Sequence, residues 1–100
     1  MDPAISDFRI SDVVKSTAGR DQGELFYVIS IDGQYLMLAN GKDRPLDRPK
    51  RKKCKHVAKV LRSETRVATK ILSGDKVLNS ELRRDLAFFR RDMQSNGLGG

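Results

Sequence analysis

The sequence LFYVISIDGQYLMLANG, at residues 25–41, carries the clearest evidence for the fold of this chain. Two apolar stretches rich in Val, Ile, Tyr and Phe stand on either side of Asp32-Gly33, and such stretches are typical of strands. An Asp-Gly pair accepts the positive φ angles of a two-residue hairpin turn. Asn40-Gly41 predicts a second turn of the same kind, so an antiparallel meander of three strands should reach about residue 46.

Shorter signals extend the β pattern on both sides of this segment. Residues 10–14 and residues 56–60 predict further strands. Pro45 and Pro49 limit residues 44–49 to an edge strand or an extended connection, because proline has no amide hydrogen to donate. Four or five short antiparallel strands predict a mainly β protein whose sheet closes into a small barrel, since closure protects the strand edges.

Two amphipathic helices are predicted after the strands. The first extends from about residue 64 to residue 72, with Ser63 as its N-cap and Gly74 at its end. The second begins after Asn79 or Ser80. Its apolar residues recur at i, i+4, i+7 and i+11 and form one stripe, which consists of Leu82, Leu86, Phe89 and Met93. Four arginines lie largely off that stripe, namely Arg83, Arg84, Arg90 and Arg91.

The length of 100 residues and an apolar content of 38% fit one domain with a single small core. We expect a barrel at residues 6–61, a helical extension at residues 62–94 and a flexible tail at residues 95–100. The apolar runs are far shorter than the roughly 18 residues of a membrane span, and the acidic N-terminus is unlike a signal peptide. Cys54 is the only cysteine, so no internal disulfide can form. These features predict a cytoplasmic protein that does not enter a membrane.

The formal charge of +7 is concentrated in one part of the chain. Residues 41–62 hold ten basic and two acidic residues, whereas residues 1–40 are net acidic. The densest part, RPKRKKCK at residues 48–55, carries six positive charges and is called the basic segment below. A cluster of this kind favours a polyanionic partner, so nucleic acid leads the candidate partners.

The sequence DVVKSTAGRDQG at residues 12–23, followed by the apolar residues 26–29, resembles a KOW motif. The chain as a whole resembles small bacterial KOW-domain RNA-binding proteins, which are similar to KOW-type large-subunit ribosomal proteins of archaea and eukaryotes. The likeness covers roughly residues 6–60. It implies an SH3-like barrel that contacts RNA through the loop between its first two strands. In that loop, Asp21 and Gln22 stand where many relatives carry more basic residues.

The candidate RNA-binding residues come from the loop, from the hairpin arm that follows, and from the basic segment. Hydroxyls, cations and backbone amides suit phosphate oxygens and the ribose hydroxyl. The loop supplies Lys15, Ser16, Thr17, Gly19, Arg20 and Gly23; the remainder are Lys42, Arg44, Arg48, Lys50, Arg51, Lys52, Lys53, Lys55 and His56. Phosphate contacts provide affinity rather than sequence preference. Engaging five or six phosphates would give a salt slope of about −4 to −5.

Other chemistry has little support in the sequence. Six aromatic residues are present and the core needs most of them, which leaves Tyr35, just after a predicted turn, as the best candidate for base stacking. Cys54 and His56 supply two potential ligands where a structural zinc site needs four. Nucleophile-elbow, P-loop and metalloprotease patterns do not occur in the sequence. We therefore expect neither a cofactor nor an enzymatic activity.

These observations predict a non-enzymatic RNA-binding protein, monomeric when free, that binds ribosomal or other structured RNA. The alternative is a protein-interaction barrel of a transcription or translation complex, as the resemblance to KOW domains of elongation factors implies. That barrel would use an exposed edge, or the helix at residues 82–93, against an acidic partner. DNA is a third possible partner, because backbone charge discriminates poorly between nucleic acids.

Overall fold

A computed structural model describes the backbone of residues 2–99 and the side chains of residues 2–93. The protein is mainly β, as predicted, with one five-stranded antiparallel sheet and two C-terminal helices. The strands are β1 (Asp12–Ser16), β2 (Leu25–Asp32), β3 (Tyr35–Ala39), β4 (Lys50–Lys53) and β5 (Val57–Arg62). The helices are α1 (Arg66–Ser73) and α2 (Asn79–Gly99), and short 3₁₀ helices form at Ile5–Asp7 and Cys54–His56.

The order of the strands explains the curvature of the sheet. The order is β4-β3-β2-β1-β5, so β4 and β5 stand at opposite edges. Only the three residues Cys54–His56 separate them in the chain. The sheet must therefore curl until its edges approach, which is consistent with a small SH3-like barrel. In the described part of the chain β4 and β5 do not pair with each other, so a seam lies between them.

The link between β3 and β4 differs from the prediction. Asn40-Gly41 does not form a two-residue hairpin; residues 40–49 separate the two strands, and the third strand of the meander is the basic segment itself. The cause is local. Asn40 Oδ1 accepts hydrogen bonds from the amides of Lys42 at 2.9 Å and Arg44 at 3.0 Å, so the asparagine side chain stabilises a wider loop.

The apolar residues form two clusters rather than the single core expected from the composition. One lies inside the curled sheet and includes Val14, Phe26 and Leu36. The other lies between the outer face of the sheet and the helices, and includes Tyr27 and Leu82. Neighbouring residues of β1 and β2 alternate between the two clusters because successive side chains of a strand point to opposite faces.

The helices lie close to their predicted positions, with one correction. Thr65 rather than Ser63 caps α1, since its hydroxyl accepts from the amide of Ala68 at 3.2 Å. Ser63 is buried and bonds the Tyr27 hydroxyl at 2.9 Å instead. Gly74 ends α1 with a φ of +75°, as predicted.

The second helix is longer than expected. The backbone of α2 stays helical to Gly99, so the helix extends into the segment predicted as a flexible tail, and Gly100 lies outside the described residues. Its predicted stripe does face the protein: Leu82, Leu86 and Phe89 are buried in the outer cluster, and Met93 packs against it.

Candidate nucleic-acid interface

The loop between β1 and β2, residues 17–24, is called the glycine loop. Its conformation depends on Gly19, whose φ of +89° is rarely adopted by other residues. The amide of Gly23 donates to the Ser16 carbonyl at 2.8 Å, and the amide of Glu24 donates to the Asp21 carbonyl at 2.9 Å. The loop therefore has a defined shape, but several of its amides donate within the protein and are not free to bind a ligand.

The glycine loop and the basic segment touch each other through Asp21. The Lys52 ammonium lies 2.7 Å from Asp21 Oδ1 and also donates to the Ala18 carbonyl at 2.7 Å. Lys50 Nζ lies 2.8 Å from Oδ2 of the same carboxylate, at ion-pair distance although its angle does not make a directed hydrogen bond. Ser16 Oγ completes the cluster at 2.8 Å from Oδ1. The two features expected to bind RNA are thus adjacent, and one carboxylate occupies two of the cations.

The charges around Asp21 determine its protonation. Burial alone would raise the pKa of this carboxyl group, but the ammonium groups of Lys50 and Lys52 and the hydroxyl of Ser16 outweigh it and hold the pKa well below its ordinary value of 3.8. Asp21 is therefore ionised throughout the physiological range. Its negative charge is a permanent part of the loop.

The alternation of side chains along β4 divides the basic segment between two faces. Lys50 and Lys52 pair with Leu38 and Leu36, whose side chains fill the inside of the curled sheet. Lys52 is only 8% exposed; its stem follows this apolar interior and its ammonium emerges at the glycine loop. Its ammonium is held by Asp21 and the Ala18 carbonyl of the glycine loop and is not available to a phosphate.

The other two residues of β4 point outward. Arg51 pairs with Met37 and Lys53 pairs with Tyr35, on the outer side of the sheet. The helices cover the part of this side that carries Ala39, whereas Tyr35 and Met37 do not belong to the cluster beneath the helices. We call the uncovered part, formed by Tyr35, Met37, Arg51 and Lys53, the open sheet face.

The 3₁₀ helix after β4 brings two more candidates beside the glycine loop. Lys55 and His56 are exposed, and the His56 carbonyl accepts from the amide of Thr17 at 2.9 Å. This hydrogen bond attaches the start of the glycine loop to the end of the basic segment. The exposed cations of the segment therefore continue from the open sheet face to the loop.

A second group of candidate RNA-binding residues also lies close to Asp21. Arg20, Arg44 and Lys50 line a depression of about 260 Å³, together with the carboxylates of Asp21, Glu24 and Asp43. Three cations against three carboxylates leave little net charge there. This depression is a weaker attractor for a polyanion than the open sheet face.

Two arginines of α2 that the sequence did not indicate as RNA-binding residues share a groove with residues that it did indicate. Arg83 and Arg90 line a groove of about 500 Å³ with Lys42, Gly23 and Glu24, and Arg83 donates to the Gly41 carbonyl at 2.6 Å. Their spacing of seven residues places them on one side of the helix. The seven-residue spacing is visible in the sequence, but only the fold shows which loops this side of the helix faces.

Most of the predicted RNA-binding residues are at the surface. Those exposed are Lys15, Thr17, Gly19, Arg20, Gly23, Lys42, Arg44, Arg48, Arg51, Lys53, Lys55 and His56. Ser16 and Lys52 are buried, and Lys50 is half-buried. Among the aromatic residues considered for stacking, Phe26, Tyr27 and Phe89 belong to the clusters, whereas Tyr35 is half-buried and Phe88 is exposed.

Within the described residues, no group of three or more His, Cys, Asp or Glu side chains is arranged to hold a metal ion. None of the helices in this part of the chain is both long and apolar enough to cross a membrane.

Comparison with models of protein families finds no family that matches the chain, and comparison with curated proteins finds no relative. The KOW resemblance therefore stays a prediction from the sequence.

Proposed function

We propose that this protein is a non-enzymatic RNA-binding module that holds the RNA backbone with the outward cations of the basic segment. One observation carries the proposal: Arg51, Lys53 and Lys55 stay exposed although the Asp21 carboxylate engages Lys50 and Lys52. Among the described side chains, only Asp32 forms an ion pair with one of the three, at 3.9 Å from Arg51. Such a pair between exposed groups is weak and yields readily to a phosphate.

The expected salt dependence follows from phosphate contacts by the three residues Arg51, Lys53 and Lys55. Each phosphate neutralised on a single strand contributes about −0.7 to the slope of log Kobs against log salt concentration. Three contacts therefore predict a slope of about −2, shallower than the slope expected if every cation of the segment were free. Contacts of this kind recognise the shape and backbone of the RNA rather than its sequence.

The test is a titration of structured ribosomal RNA, measured at several salt concentrations. The test variant replaces Arg51, Lys53 and Lys55 with Ala. A matched control replaces three exposed cations of the helical part, Arg66, Lys76 and Arg84, with Ala and so removes the same charge. We expect the test variant to lose most of the slope and the control to keep it. Equal losses in both variants would mean that only net charge matters, and the proposed interface would be wrong.

A protein-interaction barrel is the second candidate. The apolar stripe of α2 is unavailable for this role, since Leu82 and Leu86 are buried against the sheet. The outer edge of β4 has no neighbouring strand in the described part of the chain and could take an added strand from a partner. If the wild-type protein shows no salt-dependent affinity for RNA, the protein-interaction function is favoured.

A further inference from the structure

The guanidinium of Arg51 lies over an aromatic ring on the open sheet face. Its Cζ atom is 3.9 Å from the centroid of the Tyr35 ring. The two residues are diagonal neighbours on β3 and β4, because Tyr35 pairs with Lys53 and Arg51 pairs with Met37. At this distance the guanidinium makes a cation–π contact that restricts its motion.

Much of the Arg51 side chain remains accessible to solvent. It is 57% exposed although its guanidinium lies over Tyr35. Its ion pair with Asp32, Nη2 to Oδ2 at 3.9 Å, is long and exposed. The result is a planar cation that is held against a ring and is still accessible to a ligand. Nucleobases stack on arginine planes as well as on aromatic rings.

We propose that the Tyr35–Arg51 pair is a stacking platform for one unpaired base of the bound RNA. This inference rests on the proposed RNA-binding function and adds that the RNA offers a single-stranded segment at this position. The base lies on the guanidinium of Arg51. Lys53, exposed on the open sheet face and opposite Tyr35, holds a neighbouring phosphate. A base that is paired and stacked in a duplex cannot reach the platform without leaving its stack.

The platform can be separated from simple charge attraction by an Arg51→Lys variant. Lysine keeps the charge but loses the plane that supports the base. We expect this variant to bind a short single-stranded RNA roughly fivefold or more weakly than wild type, with an unchanged salt slope. A 2-aminopurine base in that RNA should change its fluorescence on binding wild type and much less on binding the variant. Affinity for a duplex of the same length should hardly change.

Three further variants complete the design. Tyr35→Phe keeps the ring and should bind as wild type does, whereas Tyr35→Leu should weaken binding to the same degree as Arg51→Lys. Arg84→Lys makes the same chemical change at an exposed arginine of α2 with no cation–π contact among the described side chains, and should have no effect. Thermal melts confirm that each variant is folded.

The outcomes distinguish the two proposals. If wild type binds RNA with a salt slope that depends on Lys53 and Lys55, but Arg51→Lys and Arg84→Lys behave alike, the platform is wrong and the RNA-binding function stands. If wild type binds neither single-stranded nor duplex RNA, both proposals are wrong. A loss of affinity in Arg51→Lys that is equal for duplex and single strand also overturns the platform.

Discussion

Asp21 in the glycine loop and Lys52 in edge strand β4 lie 2.7 Å apart and join the loop between β1 and β2 to a strand that pairs with neither of them. Lys52 is almost fully shielded from water. Its charge therefore depends on Asp21 and the Ala18 carbonyl for stabilisation. The pair has a structural role, although both residues come from segments rich in candidate RNA contacts.

Replacing Asp21 with Asn should destabilise the protein by about 2 kcal/mol, because a shielded ammonium loses its counter-charge. Urea unfolding measures this change. Asp32→Asn is the matched control, since Asp32 is exposed and its ion pair with Arg51 is long; it should cost less than about 0.5 kcal/mol. Asp21→Asn should also bind RNA more tightly, because Lys50 is released. Equal stabilities of the two variants would contradict a structural role for the pair.

The low pKa of Asp21 predicts a loss of stability in acid. Folding favours the ionised carboxylate, so its contribution is complete above the ordinary pKa of 3.8 and disappears as the pH falls below that value toward the lower pKa of the folded state. The difference in unfolding free energy between wild type and Asp21→Asn should therefore shrink between about pH 6 and about pH 2. A difference that stays constant over this range would show that the carboxylate is not stabilised by folding.

Tyr27 connects the sheet to both helices through its hydroxyl. It donates to Asp85 Oδ2 at 2.7 Å, and Thr65, the cap of α1, donates to the same oxygen at 2.7 Å. Tyr27→Phe should cost about 1 kcal/mol in urea unfolding at neutral pH, since Asp85 keeps only one of these partners. Tyr35 is only half-buried, so Tyr35→Phe is expected to have little effect on stability.

The same tyrosine predicts a loss of stability in alkali. Burial raises the pKa of Tyr27 to about 12, and the Asp85 carboxylate acts in the same direction. Folding thus favours the neutral phenol, whose contribution is complete below the ordinary value of 10.0 and is lost as the pH rises through about 12. The Tyr27→Phe variant should lack this part of the alkaline transition. An identical transition in wild type and variant would disprove the assignment.

Among the five glycines before residue 94, Gly41 has the least room for a side chain. Its φ is +77°, and a Cβ atom would overlap the carbonyl oxygen of Asn79 at the start of α2. Gly41→Ala should therefore cost about 3 kcal/mol, from the left-handed backbone and the overlap together. Gly33→Ala is the control: its φ is +61° but nothing lies within 4 Å, so only about 1 kcal/mol is expected. Thermal unfolding of the two variants measures the contribution of the contact with α2.

The predictions that succeeded rest on local patterns. The two apolar stretches on either side of Asp32-Gly33 located β2 and β3, and the stripe from Leu82 to Met93 identified the buried face of α2. The Asn40-Gly41 prediction failed because the asparagine side chain accepted two amides and widened the loop. The prediction of Ser63 as the N-cap of α1 was wrong. Thr65, two residues later, accepts from the amide of Ala68 and caps the helix, whereas Ser63 bonds the Tyr27 hydroxyl.

The amino-acid pattern alone predicts that the protein is mainly β and that most of the excess charge lies in one short segment. Which cations of that segment face outward becomes clear only in the folded molecule. Arg51 and Lys52 are neighbours of the same charge, but the register of β4 against β3 directs Arg51 onto Tyr35 and Lys52 inward to Asp21. A run of basic residues carries no apolar alternation of its own, so its two faces become distinct only when the strand pairs with its neighbour.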